Sequence, residues 1–492
     1  MTSNTTAAIG TACCLALAAI LPAGIISLPE TVGYNASQQS YFLAQQREVS
    51  PACVVSPTTT DQVATIIKTI ASSSSRGDCQ KGSQARCPFV IRSGGHSAVP
   101  GTVNSAGGVT LDLRAFNSIQ LSEDKSTVSI GVGARWGPVY RALEEHGLSV
   151  AGSRAAQVGV GGFVLGGGIS YFSPRYGWSC DSLVGAEIVL ADGSIVYVTD
   201  ESDGELMAAL RGGSGNFGVV TRVDMKTFAQ PPFWGGTTVR DLSTADGHLQ
   251  FLDRFVRADD EHASLIMSFA TAAGYGSVLF VGTIYTKEGV ENPPVFAELD
   301  ALPALQPNSG RIAPMSSHAD EMGSTNPDGL RQVWKVTIFK STLPMINATY
   351  LHWKSMTDRM EAIPSLVTGG LSLHPLPPHF YNSPRSNRNS LGFEGKEGPY
   401  VMVLSTIAWT DSAADEEAQE VVDALIGGVE DEAKKRGLYD PFVYLNYAGR
   451  SQDPLAGYGP DSLARLRRVK ARVDPHGLFS DPASGFKLPR EV

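Results

Sequence analysis

The sequence predicts an α+β fold in two lobes, and three observations carry this prediction. Residues 51–228 alternate short apolar strands with amphipathic helices. Residues 229–437 mix strands with longer helices, and residues 438–492 add a strand, a Gly/Pro loop and a basic helix. The 492 residues, 42% of them apolar and 18% charged, are enough to bury the cores of two lobes.

Individual elements of the first lobe follow from local patterns. Apolar residues at helical spacing predict a helix over residues 63–70, and residues 136–145 predict another that ends near Gly147. Residues 89–91 form a buried strand. Two β-rich runs flanking Asp192-Gly193 predict a hairpin over residues 186–198.

Other stretches predict less regular structure. Residues 71–86 are serine-rich and polar, which indicates a surface loop, and residues 375–398 are rich in proline and glycine. The segment 442–447 predicts a strand in the C-terminal part.

Charge and composition exclude several function classes. The formal net charge is −10 and no basic stripe appears, so we expect no nucleic-acid partner. The basic run in residues 465–472 is interpreted as the solvated face of a helix. Neither CxxC pairs nor Cys/His spacings typical of zinc sites occur, so we expect no metal.

The N-terminus permits two interpretations. Residues 13–26 are apolar like the core of a signal peptide. A signal peptide also begins with basic residues, however, and the first basic residue in this chain is Arg47. A buried first helix over residues 5–21 is the alternative, and it favours an intracellular location over secretion. The stretch is too short to span a membrane. Among the six cysteines we expect one or two disulfides, with the pairing left open.

Three glycine-rich segments carry the functional signal, at residues 92–97, 158–168 and 211–221. Clustered glycines let backbone N–H groups approach an anion or a flat ligand closely, although tight turns also use them. None of the three has the pattern of a dinucleotide-binding GxGxxG helix start, and no P-loop occurs. The first segment also contains a histidine, His96.

These segments resemble the berberine-bridge-enzyme-like flavoproteins of the vanillyl-alcohol-oxidase superfamily, in particular fungal members of secondary metabolism. The resemblance covers nearly the whole chain. Its motifs are residues 51–55, 92–97, 159–168, 176–177, 180–181, 212–220, 444–447 and 474–479. It implies an FAD lobe at residues 1–228, with a core at about 47–228, a substrate lobe with an antiparallel sheet at 229–437, and a segment 438–492 that returns to the FAD lobe.

The resemblance also implies the cofactor and its contacts. FAD would be bonded through its 8α-methyl group to His96. Relatives often add a cysteine link, but Ala155 stands at that position here, so a single link is expected. Phe163 replaces a histidine that relatives place near the flavin. The implied cofactor contacts are Arg92, Ser93, Gly94, Gly95, His96, Ser97, Val158, Gly159, Gly161, Gly162, Gly167, Gly218, Val219, Val220 and Asn446.

The candidate catalytic base is Tyr444 or Tyr447, because relatives use a tyrosine of this motif near flavin N5. Strand alternation would put these two side chains on opposite faces unless the strand bends, and both could instead be packing residues. Candidate side chains of the substrate pocket are His374, His379, Trp409, Tyr171 and Phe172, for which surface or core positions are the alternative.

The function implied is FAD-linked oxidation of a small organic substrate at an alcohol, amine or C–H bond, with oxygen as the electron acceptor. Val158 would leave room for oxygen beside the flavin. A carbohydrate oxidase, a cyclase that only retains the flavin and a non-catalytic binding protein are the alternatives.

Overall fold

The computed structural model describes residues 3–73, 86–258, 260–274, 276–382, 388–393 and 395–489. It confirms a fold of mixed helix and sheet. Most of the predicted loop at 71–86 lies outside the described residues. The α-helices are α1 Ser3–Ala18, α2 Val32–Gln39, α3 Ala44–Arg47, α4 Thr60–Ser73, α5 Trp136–Glu144, α6 Val160–Leu165, α7 Ser173–Tyr176, α8 Asp200–Leu210, α9 Ala245–Phe255, α10 Ala297–Asp300, α11 Met315–Ser324, α12 Leu343–Ser355, α13 Thr357–Glu361, α14 Pro378–Tyr381, α15 Asp415–Lys435 and α16 Pro460–Val473.

The N-terminal half contains two main sheets. The first, in the order β1-β2-β4-β3, comprises β1 Ile26–Ser27, β2 Cys53–Val55, β3 Phe89–Arg92 and β4 Val109–Asp112. Its last three strands are parallel, as expected when helix α4 connects β2 to β3. The antiparallel second sheet, in the order β5-β6-β10-β8-β9, and the small pair β7–β11 comprise β5 Ile119–Leu121, β6 Thr127–Gly131, β7 Leu148–Ser149, β8 Leu183–Val189, β9 Ile195–Val198, β10 Val219–Lys226 and β11 Phe228–Ala229.

The predicted helices near residues 63–70 and 136–145 and the predicted hairpin at 186–198 are confirmed by α4, α5 and the antiparallel pair β8–β9. Helix α6, which begins inside the second glycine-rich segment, was not predicted. Its six residues include two glycines, which have low helix propensity.

The middle of the chain forms an antiparallel sheet of eight strands, as predicted for the substrate lobe. The order is β15-β12-β14-β13-β17-β18-β16-β19, and the strands are β12 Phe233–Arg240, β13 Ala263–Ala272, β14 Gly276–Tyr285, β15 Arg311–Ala313, β16 Arg331–Lys340, β17 Leu366–Leu376, β18 Tyr400–Trp409 and β19 Tyr439–Asp440. The domain boundaries at 228 and 437 stay a prediction.

The two faces of this large sheet differ because side chains alternate along each strand. In β13, Leu265, Met267 and Phe269 are buried in a core shared with helices α9, α12 and α15. Ser268 and Ala270 alternate with them and point to the opposite face, where small and polar residues are mixed with larger apolar ones. The covering helices therefore lie on one side only, and the other side of the sheet is left for a cavity.

One sequence-based prediction for the C-terminal segment is wrong, and another holds in part. Residues 442–447 do not form a strand, because β19 ends at Asp440, whose carboxylate accepts a hydrogen bond from the Phe442 amide. A 3₁₀ turn follows at Leu445–Tyr447. The basic run on α16 is only partly solvated, since Lys470 is buried and paired with Asp474 at 3.0 Å.

Two disulfides tie the N-terminal helix to the first sheet, and they resolve the pairing that the sequence left open. Cys13 is bonded to Cys87 and Cys14 to Cys53, while Cys180 is a buried free thiol. Helix α1 thus packs one side against the first sheet, through Gly10, Cys13, Cys14 and Leu17, and most of its other described residues are exposed. In the described part of the chain no helix is long and apolar enough to cross a bilayer. The cellular location stays a prediction.

Candidate active site

A cavity of about 760 Å³ lies between the glycine-rich segments and the open face of the eight-stranded sheet. All three glycine-rich segments contribute to its lining, and so does the tyrosine motif at 444–447. The sheet contributes one face of β13, β14, β16, β17 and β18. Segments far apart in sequence therefore meet around one continuous space that is large enough for an extended ligand.

The first and second glycine-rich segments touch each other through their backbones. A Cβ added at Gly94 would lie 2.5 Å from the Cα of Gly159, closer than non-bonded atoms can approach. Glycine is therefore required at both positions for the contact between segments. At Gly162, by contrast, an added Cβ would meet no atom within 4 Å, so this glycine borders open space.

His96 lies in the cavity lining with its ring stacked on Phe42, at a centroid distance of 3.8 Å. Its Nε2 is buried and has no hydrogen-bond partner in the described part of the chain. Burial lowers the pKa of His96 to about 4, so its ring is neutral at pH 7. A neutral imidazole keeps a nitrogen lone pair, which a bond to a flavin carbon requires.

Most of the predicted cofactor contacts line this cavity. Those that do are Ser93, Gly94, Gly95, His96, Ser97, Val158, Gly159, Gly161, Gly162, Gly218, Val220 and Asn446. Gly167 and Val219 lie outside the lining: a Cβ at Gly167 would contact Leu391 and Tyr444, and Val219 is fully buried in β10. Their predicted contact with a cofactor is not supported by this placement.

The placement of Arg92 also differs from the prediction. Its guanidinium is fully buried, stacks on the Tyr41 ring at 3.6 Å, and lies 3.6 Å from Asp112. It donates hydrogen bonds to the carbonyl and hydroxyl oxygens of Ser37 and Ser40. The side chain therefore holds α2 beneath the first glycine-rich segment and does not line the cavity.

The two candidate tyrosines have different environments, although their rings lie 4.9 Å apart. The Tyr444 hydroxyl is a buried acceptor for the Asn446 amide at 3.0 Å, and burial raises the pKa of Tyr444 far above that of an ordinary phenol. The Tyr447 hydroxyl accepts a hydrogen bond from Arg154 at 2.6 Å. A guanidinium stabilises the negative charge that a phenolic oxygen carries after it loses its proton.

The 3₁₀ turn explains why both tyrosines reach the cavity. Strand alternation would have placed them on opposite faces, whereas the turn directs both toward it. Asn446 stabilises the turn, because its amide also donates to the Phe163 carbonyl at 3.0 Å. A Cβ on Gly166 would collide with the Asn446 side chain, so the second glycine-rich segment also makes room for this turn.

Of the predicted substrate-pocket residues, only His374 lines the main cavity. Trp409 is buried in the core under the sheet and bonds Asp415, and Tyr171 and Phe172 pack in the core of the N-terminal half. His379 lies on α14 and does not line this cavity. For these aromatic side chains, packing against neighbours accounts for their burial.

Sequence reasoning missed Arg154 and Trp334, which both line the cavity, and the other cavity-lining residues of the sheet except His374. Arg154 was detectable, because it is the only charged residue between Val150 and Ala156 and directly precedes Ala155. The sheet residues could not be found without knowing which strand face is covered by helices.

The chain is similar to known FAD-dependent proteins. Residues 51–199 match the model of an FAD binding domain family. The chain is 33% identical over 488 residues to the FAD-dependent monooxygenase sdcF of Emericella nidulans, covering 97% of this chain and 98% of that protein. It is 32% identical over 472 residues to the FAD-dependent monooxygenase tpcD of Cochliobolus heterostrophus, covering 92% and 88%.

Solved structures share the fold. One of them, 6-hydroxy-D-nicotine oxidase from Arthrobacter nicotinovorans, superimposes with a TM-score of 0.78 at 21% identity over 96% of this chain and 99% of that chain. The chain belongs to the same family of FAD-linked oxidoreductases as these fungal relatives, and it shares the fold of the berberine-bridge-enzyme-like flavoproteins. It is an FAD-dependent oxidoreductase.

Two apolar residues, Ala155 and Phe163, lie in the cavity lining. The Phe163 ring packs edge-on against Trp136 at 5.5 Å. Neither position offers a nucleophile or a polar side chain to a ligand in the cavity.

Proposed function

We propose that the enzyme oxidises a small organic substrate in this cavity, using FAD held along the glycine-rich segments by a single covalent bond to His96. The observation that carries the proposal is the single cavity that joins all three glycine-rich segments to Tyr447. FAD, when bound, accepts the hydride that leaves the substrate. The protein must bind both molecules, exclude water and remove the substrate proton.

Tyr447 is the group best suited to accept that proton. Its hydroxyl lies in the cavity lining and accepts a charge-assisted hydrogen bond from Arg154, a contact that can also hold a phenolate oxygen in place. The Tyr444 hydroxyl is buried and already bonded to Asn446, and its raised pKa opposes ionisation. We therefore assign the base to Tyr447 and a supporting role to Tyr444.

The covalent link is tested by substituting His96. Wild-type protein precipitated with acid should keep its yellow colour in the pellet, and a flavin-bearing peptide should contain His96. His96→Ala should release all its flavin into the supernatant. A matched control, Ala155→Ser, should leave the flavin attached because that position forms no bond. Complete release of flavin from the wild type would contradict the covalent assignment.

Oxygen is the proposed electron acceptor, and Val158 is the residue proposed to leave it room. Val158 lines the cavity, and its carbonyl accepts a hydrogen bond from the Trp136 amide at 3.1 Å, which fixes its backbone. The names of the fungal relatives, FAD-dependent monooxygenases, support a reaction that uses oxygen.

Val158→Leu should slow the reoxidation of the photoreduced enzyme, because the longer side chain would fill the space that oxygen needs. Stopped-flow mixing with air-saturated buffer measures the rate, and Val158→Ala is the control that should keep reoxidation fast. Slow reoxidation of the wild type, or equal rates in all three proteins, would exclude Val158 as the gate.

The substrate itself is best identified from the metabolite that accumulates when the gene is deleted. If that metabolite reduces the flavin without oxygen, the enzyme is an oxidoreductase for it. If it is converted without flavin reduction, the cyclase alternative holds. If sugars reduce the flavin faster, the enzyme is a carbohydrate oxidase.

A further inference from the structure

Arg154 is a buried cation without a carboxylate partner among the described residues. Its side chain is part of the cavity lining and the residue is 8% exposed. It donates to the Tyr447 hydroxyl at 2.6 Å, and its other terminal nitrogen contacts His374 Nδ1 at 3.3 Å. A buried charge without an opposite charge is costly, so such a cation at a ligand cavity indicates an anionic ligand.

His374 supplies no compensating charge. A guanidinium N–H can only donate, so Nδ1 of His374 is the acceptor and its Nε2 carries the proton. Burial and the charge of Arg154 lower the pKa of His374 far below its usual range, which keeps the ring neutral. Nε2 has no partner in the described part of the chain. The pair therefore has a net positive charge.

Arg154 keeps hydrogen-bonding capacity for a ligand. A guanidinium has five N–H groups, and the contacts with Tyr447 and His374 use two of them. The same side chain can therefore hold the Tyr447 oxygen and a substrate oxygen at once.

The remainder of the lining contains no opposite charge. Among the described residues that line the cavity, no aspartate or glutamate occurs. Lys487, the other basic residue of the lining, donates to the Gly215 carbonyl in the third glycine-rich segment, and burial lowers its pKa to about 7. The sheet contributes neutral groups, including the Ser268 and Ser372 hydroxyls, which are 2.7 Å apart. An ammonium group would find no counter-charge here.

We propose that Arg154 binds an acidic oxygen of the substrate, so the substrate is a molecule with a carboxylate or an ionisable phenol or enol, and amines are excluded. The proposal rests on the proposed function, because it takes this cavity as the substrate site. It narrows the substrate class from any small molecule oxidised at an alcohol, amine or C–H bond to molecules that carry an acidic group.

Three probes of nearly the same shape test the charge preference: benzoate, benzamide and benzamidinium. Binding to the holoenzyme is measured at pH 8 by calorimetry and by the shift of the flavin absorbance. Benzoate should bind about 10- to 100-fold tighter than benzamide, as expected for a charge-assisted hydrogen bond in a buried site, and benzamidinium should bind weakest. Comparing 4-nitrophenolate with nitrobenzene separates phenolate from carboxylate recognition. Benzamidinium binding as tightly as benzoate would overturn the proposal.

Substitutions then test whether Arg154 causes the preference for benzoate over benzamide. Arg154→Met should reduce the ratio of benzoate to benzamide affinity to about one, whereas Arg154→Lys should retain most of it because the charge remains. Arg141→Met is the matched control, since Arg141 is exposed, pairs with Asp320 and does not line the cavity. A preference that persists in Arg154→Met would contradict the assignment to Arg154.

The binding preference among the probes does not depend on the covalent flavin link or on the identity of the catalytic base. Calorimetry detects binding whether or not the flavin reacts, and the wild-type probe series alone can overturn the proposal if Arg154→Met does not fold. Loss of covalent flavin or an inactive redox cycle would instead count against the proposed function, and it would leave the probe preference unchanged.

Discussion

Tyr447→Phe should slow anaerobic flavin reduction by about 10²- to 10⁴-fold, the usual contribution of a positioned general base, while the flavin stays bound. The reason is that phenylalanine keeps the ring but removes the oxygen that Arg154 holds beside the cavity. Stopped-flow reduction by the accumulated metabolite under anaerobic conditions measures the rate.

Tyr444→Phe is the control for this prediction. Its hydroxyl accepts a hydrogen bond from Asn446, whose amide also bonds the Phe163 carbonyl, and it interacts with the Ile169 backbone. Losing one such bond is worth about 1 kcal/mol, so reduction should slow less than about tenfold. If Tyr444→Phe is the slower of the two, the base is Tyr444 and the assignment is reversed.

The second large effect concerns stability. Arg92→Met should lower the free energy of unfolding by about 3–5 kcal/mol, because it removes one partner of a buried ion pair and the hydrogen bonds that its guanidinium donates to Ser37 and Ser40. Urea titration followed by tryptophan fluorescence measures the change.

Arg114→Met is the matched control, since Arg114 bonds the same Asp112 carboxylate but its side chain is 36% exposed. Exposed ion pairs contribute about 1 kcal/mol or less, so this variant should lose much less stability. If Arg92→Met unfolds like the wild type but binds flavin weakly, then Arg92 contacts the cofactor as the sequence motif predicted.

Local sequence patterns were sufficient for much of the fold. The alternation of apolar residues predicted α4, α5 and the β8–β9 hairpin, because helices and strands bury one face with a fixed period. The prediction of a strand at 442–447 was wrong because such patterns are local. A short apolar run does not reveal that strand β19, at the edge of the sheet, ends at Asp440.

By itself, the sequence determined the two-lobed α+β class, the glycine-rich segments, the family and the choice of His96 and the tyrosine pair, since each lies in a short contiguous motif. Only the tertiary structure decided that the Arg92 side chain points into the protein. It also decided that Cys13 pairs with Cys87 and Cys14 with Cys53. It showed that the Tyr447 hydroxyl bonds Arg154, whereas the Tyr444 hydroxyl bonds Asn446. Arg154 lies 293 residues from Tyr447 and 220 from His374 in the chain. Contacts over such separations depend on how sheets and loops pack, and no local pattern encodes them.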